Sequence, residues 1–234
     1  MKAISSHITY KYKHLSGWRK SALFAISSLA LLSANKALFA ENSSDISAQR
    51  LGTGNLQRGK EKSVDGRCQE CHGTDGMSLD DKTPNHAGQY ADYLVKQLNN
   101  FQTGARVHNI MNIMAEDLSA TDIADIATYF ASQKPMKGES RSENPVANTL
   151  FNKGDKVRGI PACSSCHGEN GKGKIAEHVI YPMIGGQRSI YLRNQLINWK
   201  SDERHNSPNG VMNNVAHLLT DNEINSLADY ISAL

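Results

Sequence analysis

Apolar side chains recur at helical spacing in several segments of the chain, and this pattern is the clearest structural signal in the sequence. The segments with this spacing are 93–101, 123–130, 191–199 and 224–231. In each, apolar residues fall three or four positions apart, which places them on one face of a helix. No strand-like alternation of any length is present. The pattern therefore predicts an all-α fold.

Polar capping residues mark where the helices at 123–130 and 224–231 begin. Ser119 and Thr220 are each followed three residues later by an acid, and the glutamate after Thr220 completes a capping box. Shorter opening helices are predicted around Gly59 and Gly154. Because glycine weakens a helix, we expect both glycines to permit the close approach of another helix.

The first 40 residues have the pattern of an export signal. A basic segment without acids precedes the apolar run 21–32, and a small residue, Ala40, ends the segment. The alternative is a retained membrane anchor, but the run is shorter than the about 20 residues that span a bilayer. We therefore predict a signal peptide at 1–40, a flexible lead-in at 41–54 and a periplasmic location, with membrane association through a retained leader as the alternative.

The charge of the chain depends on whether this leader is removed. The leader contains six of the 26 Lys and Arg residues and none of the 23 acidic residues. Its removal leaves 20 basic and 23 acidic residues, so the formal net charge changes from +3 to −3. The basic composition of the full chain therefore does not indicate nucleic-acid binding, and no nucleic-acid partner is expected.

An internal repeat organises the rest of the chain. The pattern Gly-Gln-x-x-x-Tyr-Leu-x-x-Gln-Leu-x-x-Phe at 88–101 returns at 186–199 with Trp in place of Phe. Arg106 and Arg204 follow the two copies at the same distance. Two copies of one domain explain this similarity. The predicted boundaries are a first domain at 55–135, a polar linker at 136–147 and a second domain at 148–234.

Each copy contains a Cys-x-x-Cys-His pentapeptide, which is the attachment motif of a c-type haem. The motifs comprise Cys68, Cys71 and His72 in the first copy, and Cys163, Cys166 and His167 in the second. The cysteines would bond covalently to haem and the histidines would be proximal iron ligands. A zinc site and a thioredoxin-like redox pair are the alternatives, but neither requires the histidine. The sequence thus predicts two covalently bound haem c groups.

The sixth iron ligand should recur in register in both copies. Met111 and Met212 are each followed by six residues and then Leu-Ser or Leu-Thr, just before the last helix of each copy. Thioether ligation would close the iron to substrates and favour electron transfer. We therefore predict Met111 and Met212 as the distal ligands.

Other methionines and histidines do not recur in this way. Met114 corresponds to Val215, and Met77, Met136 and Met183 have no methionine partner, so packing roles are expected. The remaining histidines, including His86, also lack partners and are expected to be surface or hydrogen-bonded residues. A bis-histidine haem remains the alternative.

Several residues could support the haems without binding iron. Pro84 and Pro182 could offer backbone carbonyls to the proximal imidazoles, with simple turn formation as the alternative. Arg106 and Arg204 could pair with haem propionates or be solvated. The aromatic residues of the repeated helices could contact porphyrin or pack in the helix core; they are Tyr93, Phe101, Tyr191 and Trp199.

With these motifs, residues 51–234 resemble the cytochrome c4 family. The resemblance implies two tandem class I cytochrome c domains, each enclosing one covalently attached haem, in a periplasmic protein that passes electrons to terminal oxidases or reductases. It also implies His72 with Met111, and His167 with Met212, as iron ligands. The haem subunit of flavocytochrome c sulfide dehydrogenase is similar and would require a flavoprotein partner.

These features predict a dihaem electron carrier rather than an enzyme, with no small-molecule substrate at iron. Its expected partners are membrane respiratory complexes or periplasmic redox enzymes. A dihaem peroxidase would need an open iron position, and a thiosulfate-oxidising enzyme would be expected to use a cysteine ligand beyond the four in the motifs. An electron-accepting subunit of a dehydrogenase stays open.

The surroundings of the two motifs differ in charge. Lys172 and Lys174 follow the second motif, whereas acidic residues occupy the corresponding stretch after the first; they are Asp75, Asp80 and Asp81. We hypothesise that the two haem edges meet different partners, because complementary charge steers encounter. Ordinary solvated charge is the alternative.

Overall fold

The structure, a computed structural model, describes residues 50–138 and 143–234. The signal peptide predicted at 1–40, residues 41–49 of the lead-in and residues 139–142 of the linker lie outside the described residues. No helix of the described part is long and apolar enough to cross a bilayer.

The first half is helical and follows the predicted order. Its helices are α1 (Leu56–Asp65), α2 (Cys68–His72), α3 (Ala91–Gln102), α4 (Met111–Ala115) and α5 (Ala120–Ser132). Asn55 caps α1 by accepting a hydrogen bond from the backbone N–H of Arg58. Ser119 caps α5 and forms a full capping box with Asp122, as Thr220 does with Glu223 in the second half, so both predicted helix starts are confirmed.

The second half repeats this order and adds a small hairpin. Its elements are α6 (Pro145–Lys153), α7 (Cys163–His167), a 3₁₀ turn (Glu169–Gly171), β1 (Lys174–Ala176), β2 (Val179–Tyr181), α8 (Ser189–Lys200), a 3₁₀ turn (Pro208–Gly210), α9 (Val211–His217) and α10 (Asp221–Ser232). Antiparallel β1 and β2 pair Ile175 with Ile180. Strands of three residues are too short to show alternation, so the sequence pattern did not reveal them.

Each half has its own apolar core. In the first, α1 and α3 pack on α5, around buried Leu94, Ile126 and Phe130. In the second, α6 and α8 pack on α10, around Phe151 and the apolar face of α10. The halves thus enclose separate clusters, as a duplicated domain requires.

The two glycines of the predicted opening helices have different roles. A Cβ on Gly59 would lie 1.9 Å from the carbonyl oxygen of Asp125 in α5, which confirms the close helix approach expected there. For Gly154 the prediction was wrong. This residue ends α6 with a φ of +68° instead of lying inside the helix, because glycine readily adopts the left-handed backbone that ends a helix.

The segment between the halves is partly packed. Met136 is buried, as a packing role predicted, and the N–H of Gly138 donates to the carbonyl of Leu234 over 2.7 Å. Asn144 then caps α6, which begins at Pro145, so the last residues of the range 136–147 are helical. These contacts tie the connection to both halves.

Candidate haem sites

The two cysteines of each motif lie on one side of a single helical turn. Cys68 and Cys71 belong to α2, and Cys163 and Cys166 to α7, and the two cysteines of each helix are three positions apart. None of the four forms a disulfide. Burial raises the pKa of Cys68, and it raises the pKa of Cys163 to about 11. The first thiol of each motif thus lies half-buried against the apolar core of its half, where a haem vinyl group could meet it.

The predicted proximal histidines each have one ring nitrogen fixed by a backbone carbonyl. Nδ1 of His72 lies 3.0 Å from the carbonyl oxygen of Pro84, and Nδ1 of His167 lies 2.9 Å from that of Pro182. The predicted role of both prolines is therefore confirmed. Each contact assigns the ring proton to Nδ1 and leaves the lone pair of Nε2 available to a metal.

The environment of these imidazoles favours their neutral form. Burial lowers the pKa of both His72 and His167, although the hydrogen bond to the proline carbonyl acts in the opposite direction. A neutral imidazole is the form that binds iron. The described residues also form no cluster of three or more His, Cys, Asp or Glu side chains, which a zinc site would require.

Each predicted distal methionine is held by the asparagine that follows it. Asn112 donates through Nδ2 to the carbonyl oxygens of Phe101 and Arg106, at 2.6 and 3.1 Å. In the second half, the corresponding asparagine is Asn213, which donates to the carbonyls of Trp199 and Arg204 at 3.1 and 2.8 Å. The Met-Asn pairs therefore anchor the start of α4 and α9 to the end of the preceding long helix. The repeated asparagine was visible in the sequence, but its role was missed.

The structure places the two methionines differently with respect to the cores. Met212 is partly buried and packs against the same apolar cluster as Cys163. Met111 lies in the first turn of α4 and is also partly buried, but in the described part of the chain it does not pack on the first apolar cluster. Met114 is exposed, so the packing role expected for it is wrong.

The repeated arginines meet where the two halves contact each other. Arg106 donates to Gln97 in its own half, and to Tyr191 and Gln195 in the other. Arg204 forms the reciprocal set of bonds, which reach Gln195, Tyr93 and Gln97. The expectation of a solvated arginine is thus wrong for Arg204, which is only 5% exposed. The tyrosines and glutamines of the repeat serve this interface.

This interface contains positive charge without a carboxylate partner among the described residues. Burial lowers the pKa of Arg204, and repulsion from Arg106 lowers it further. Burial and the same two arginines' charges lower the pKa of Lys96. Burial alone would raise the pKa of Tyr191, but the arginines more than offset this effect. Arg204 is buried beside the half-buried Arg106 and Lys96, and a buried cation is unfavourable unless an anion or polar acceptors reach it.

A haem group fits these residues. The Nε1 atom of Trp199 is buried and has no hydrogen-bond acceptor in the described part of the chain. The guanidinium of Arg204 lies 4.1 Å above the Trp199 ring, and that of Arg106 lies 4.7 Å above Phe101. An indole N–H and two guanidinium groups are suitable donors for propionate carboxylates. The thiols, the free Nε2 atoms and these donors together match the chemistry of haem c.

His86 differs from the sequence expectation. Its ring stacks on that of His72, with centroids 4.1 Å apart, and also contacts Phe130. Burial lowers the pKa of His86 well below its usual value, and the charges of His72 and Arg106 act in the same direction. His86 is therefore a half-buried, neutral packing partner of His72, the predicted proximal ligand. Its unmatched position in the repeat, opposite Ile184, concealed this role.

Comparison with known proteins supports the same assignment. A cytochrome c family model matches residues 56–134 and 148–234. Cytochrome c4 of Thiocapsa roseopersicina is 35% identical over 182 residues, which cover 77% of this chain and 93% of that protein. The thiosulfate dehydrogenase electron acceptor of Thiomonas intermedia is 34% identical over 171 residues, 71% of this chain and 77% of that protein.

A solved structure extends the similarity to the fold. Reduced recombinant cytochrome c4 from Pseudomonas stutzeri superposes with a TM-score of 0.71 at 34% identity, over 78% of this chain and all of that chain. The predicted all-α fold of tandem cytochrome c domains is confirmed. Two haem c groups are bound covalently, at the cysteine pairs of α2 and α7. With both domains matched and both attachment motifs present, the chain belongs to the cytochrome c4 family of dihaem electron carriers.

Proposed function

We propose that this protein is a periplasmic electron carrier of a respiratory chain, which passes electrons to a terminal oxidase or reductase. In this proposal His72 and Met111 bind the first haem iron, and His167 and Met212 bind the second. Haem supplies the one-electron chemistry. The protein holds each iron between two side chains, so electrons enter and leave through the haem edge without a substrate at the metal.

One observation carries the proposal. In both halves, Nδ1 of the predicted proximal histidine is engaged by a proline carbonyl, at 3.0 and 2.9 Å, which leaves the Nε2 lone pair available to a metal. The same arrangement in both halves favours two iron centres of the same type. The anchored Met-Asn pairs supply a recurring sulfur for the opposite face.

An absorption spectrum of the ferric holoprotein tests the ligation. We expect a methionine–iron charge-transfer band near the red edge, of which about half is lost in either Met111→Ala or Met212→Ala, since each variant removes one of two equivalent ligands. Met114→Ala is the matched control, because Met114 is an exposed neighbour on α4, and it should leave the band unchanged. A full band in either ligand variant would refute the assignment.

The location can be tested independently. Cell fractionation should recover the protein with periplasmic markers, and N-terminal sequencing of the mature chain should begin after Ala40. Recovery in the membrane fraction with the leader intact would instead support the retained anchor.

A second candidate function is that of an electron-accepting subunit of a dehydrogenase. The similarity to the Thiomonas intermedia electron acceptor favours this alternative over a flavoprotein-bound haem subunit or a peroxidase. Purification at native abundance distinguishes the two functions. A free carrier should elute alone, whereas a subunit should co-purify in fixed stoichiometry with a dehydrogenase whose substrate reduces both haems.

A further inference from the structure

The glutamine of each Gly-Gln repeat reaches into the opposite half of the molecule. Gln187 Oε1 accepts from the backbone N–H of Asn85 over 2.7 Å, and its Nε2 donates to the carbonyl of Asn85 over 2.9 Å. Gln89 makes the reciprocal pair with Met183, at 2.9 and 2.8 Å. All four residues are buried. Each glutamine thus holds the backbone of one residue in the other domain.

The two backbone sites are directly linked to the proximal histidines. The N–H of Asn85 belongs to the same peptide group as the carbonyl of Pro84, which accepts from His72. The N–H of Met183 likewise shares its peptide group with the carbonyl of Pro182, which accepts from His167. A continuous path therefore runs from each imidazole, through one peptide group, to a glutamine of the other domain.

Hydrogen bonds in such a series strengthen one another. A peptide group that donates through its N–H becomes a stronger acceptor at its carbonyl, because the bonds polarise it in the same sense. A stronger acceptor at Nδ1 makes the imidazole a more basic metal ligand. A more basic ligand stabilises ferric over ferrous iron and lowers the reduction potential.

We propose that Gln187 and Gln89 are positioning residues that tune the haem of the opposite domain. Gln187 strengthens the bond between His72 and Pro84, and so acts on the first haem. Gln89 strengthens the bond between His167 and Pro182, and so acts on the second haem. The inference rests on the proposed ligation of iron by these histidines. Domain packing and the two potentials are thereby connected.

The test replaces each glutamine in the holoprotein by leucine, which cannot accept a hydrogen bond. In Gln187→Leu we expect the equilibrium constant for reduction of the first haem to increase up to tenfold. For one electron this is a rise of about 59 mV in its reduction potential. The second haem should be unaffected. In Gln89→Leu the potential of the second haem should rise and that of the first should be unaffected. A redox titration resolved by the haem signals of each domain measures both values.

A spectroscopic readout follows the hydrogen bond itself. In the diamagnetic ferrous protein, the ring N–H proton of His72 should move upfield in Gln187→Leu and remain in place in Gln89→Leu. The His72 signal can be identified by its NOE to His86, whose ring stacks on it. The His167 signal should show the converse response.

Two further variants separate tuning from simple loss of domain packing. Gln187→Glu retains an oxygen acceptor for Asn85, so it should not reproduce the rise in potential, and it serves as the test if Gln187→Leu does not fold. Asn206→Ala removes bonds across the same interface, to Gln97 and Asn100, and the bond that Asn206 accepts from Arg204 in its own half, without touching either peptide group. It should leave both ring N–H signals in place.

The outcomes distinguish this inference from the proposed function. If the methionine–iron band and two haems are present but neither leucine variant shifts the opposite haem, or if each shifts the haem of its own domain, the inference is wrong and the ligation stands. If the wild-type irons are not bound by His72 and His167, the proposed function fails first, and the inference fails with it.

Discussion

The close packing of α1 on α5 leads to a quantitative prediction for Gly59→Ala. In a solvent-exposed helix this change stabilises by up to about 1 kcal/mol, because alanine has the higher helix propensity. Here a Cβ would lie 1.9 Å from the carbonyl oxygen of Asp125 and 2.5 Å from its carbonyl carbon. The nearest atoms belong to the backbone of α5, so a change of side-chain rotamer cannot relieve the clash.

The magnitude follows from the distance that the helices would have to move. Real Cβ atoms essentially never approach a heavy atom within 3.0 Å, so α1 and α5 must separate by about 1 Å, an overpacking that costs about 1–3 kcal/mol. The same movement would strain the ion pair between Arg58 and Asp125, whose Nε–Oδ2 distance is 2.7 Å. Because the clash is with backbone atoms, the cost lies in the upper part of this range, about 2–3 kcal/mol, and subtraction of a propensity gain of about 1 kcal/mol leaves a net loss of about 1–2 kcal/mol in the first domain.

Thermal unfolding of the holoprotein, followed by far-UV circular dichroism, measures this loss. For a domain of this size, 1 kcal/mol corresponds to about 4–8 °C in the unfolding midpoint. Lys60→Ala is the matched control, because Lys60 is an exposed neighbour on the same helix, and it should change stability by no more than about 0.5 kcal/mol. A Gly59→Ala protein as stable as wild type, or more stable, would show that the two backbones are not in contact.

Three further predictions concern the second domain. Trp199→Phe removes a buried N–H that has no acceptor in the described part of the chain and that could donate to a propionate. Its loss should lower the reduction potential of the second haem by up to about 59 mV, measured by redox titration. An unchanged potential would argue against a bond between this N–H and a propionate. Arg158 lowers the pKa of Glu223 to about 2, so this carboxylate stabilises the fold at pH values above its usual pKa of 4.5 and loses its effect as the pH falls towards 2. Glu223→Gln should therefore cost about 1 kcal/mol at pH 7, by loss of the charged cap, and should flatten the fall of the unfolding midpoint across that acid range; a parallel fall in both proteins would contradict it. Replacement of Lys172 and Lys174 by Glu should slow electron exchange roughly three- to tenfold with one partner only, in stopped-flow assays at low salt; equal slowing with both partners, or none, would refute the charge hypothesis.

Local signals in the sequence were sufficient for the features that lie within one repeat. The capping residues Ser119 and Thr220 mark helix starts because they satisfy backbone groups a few positions away. The Cys-x-x-Cys-His motifs place thiols and imidazole on one helical turn, and spacing alone suggested the carbonyls of Pro84 and Pro182. Each of these contacts joins residues fewer than about 20 positions apart, so the local sequence is sufficient to predict it.

The remaining features depend on which copy faces which. The repeated Gln89 and Gln187 could be aligned, but nothing in either copy shows that each binds the backbone of the other. His86 was misjudged for a related reason, since its stacking partner His72 is reached only after the chain turns around Gly76. Gly59 and Gly154 lie at the same distance before their motifs, but Gly59 lies inside a helix and Gly154 ends one, and the spacing alone does not show this difference.

The contact between the two halves also suggests that either domain alone would be less stable than the joined pair. The contact between the halves is lined by neutral amides and phenols and contains the positive charges of Arg106, Arg204 and Lys96. Burial of such charge without an anion costs free energy. Haem brings carboxylates, and the donors of this contact are matched to them. We therefore expect the contact to be more favourable when the cofactors are bound, so that haem binding and domain docking stabilise each other by linkage. The reciprocal glutamines would add to this dependence, because the same contact also supports the proposed proximal ligand of each iron.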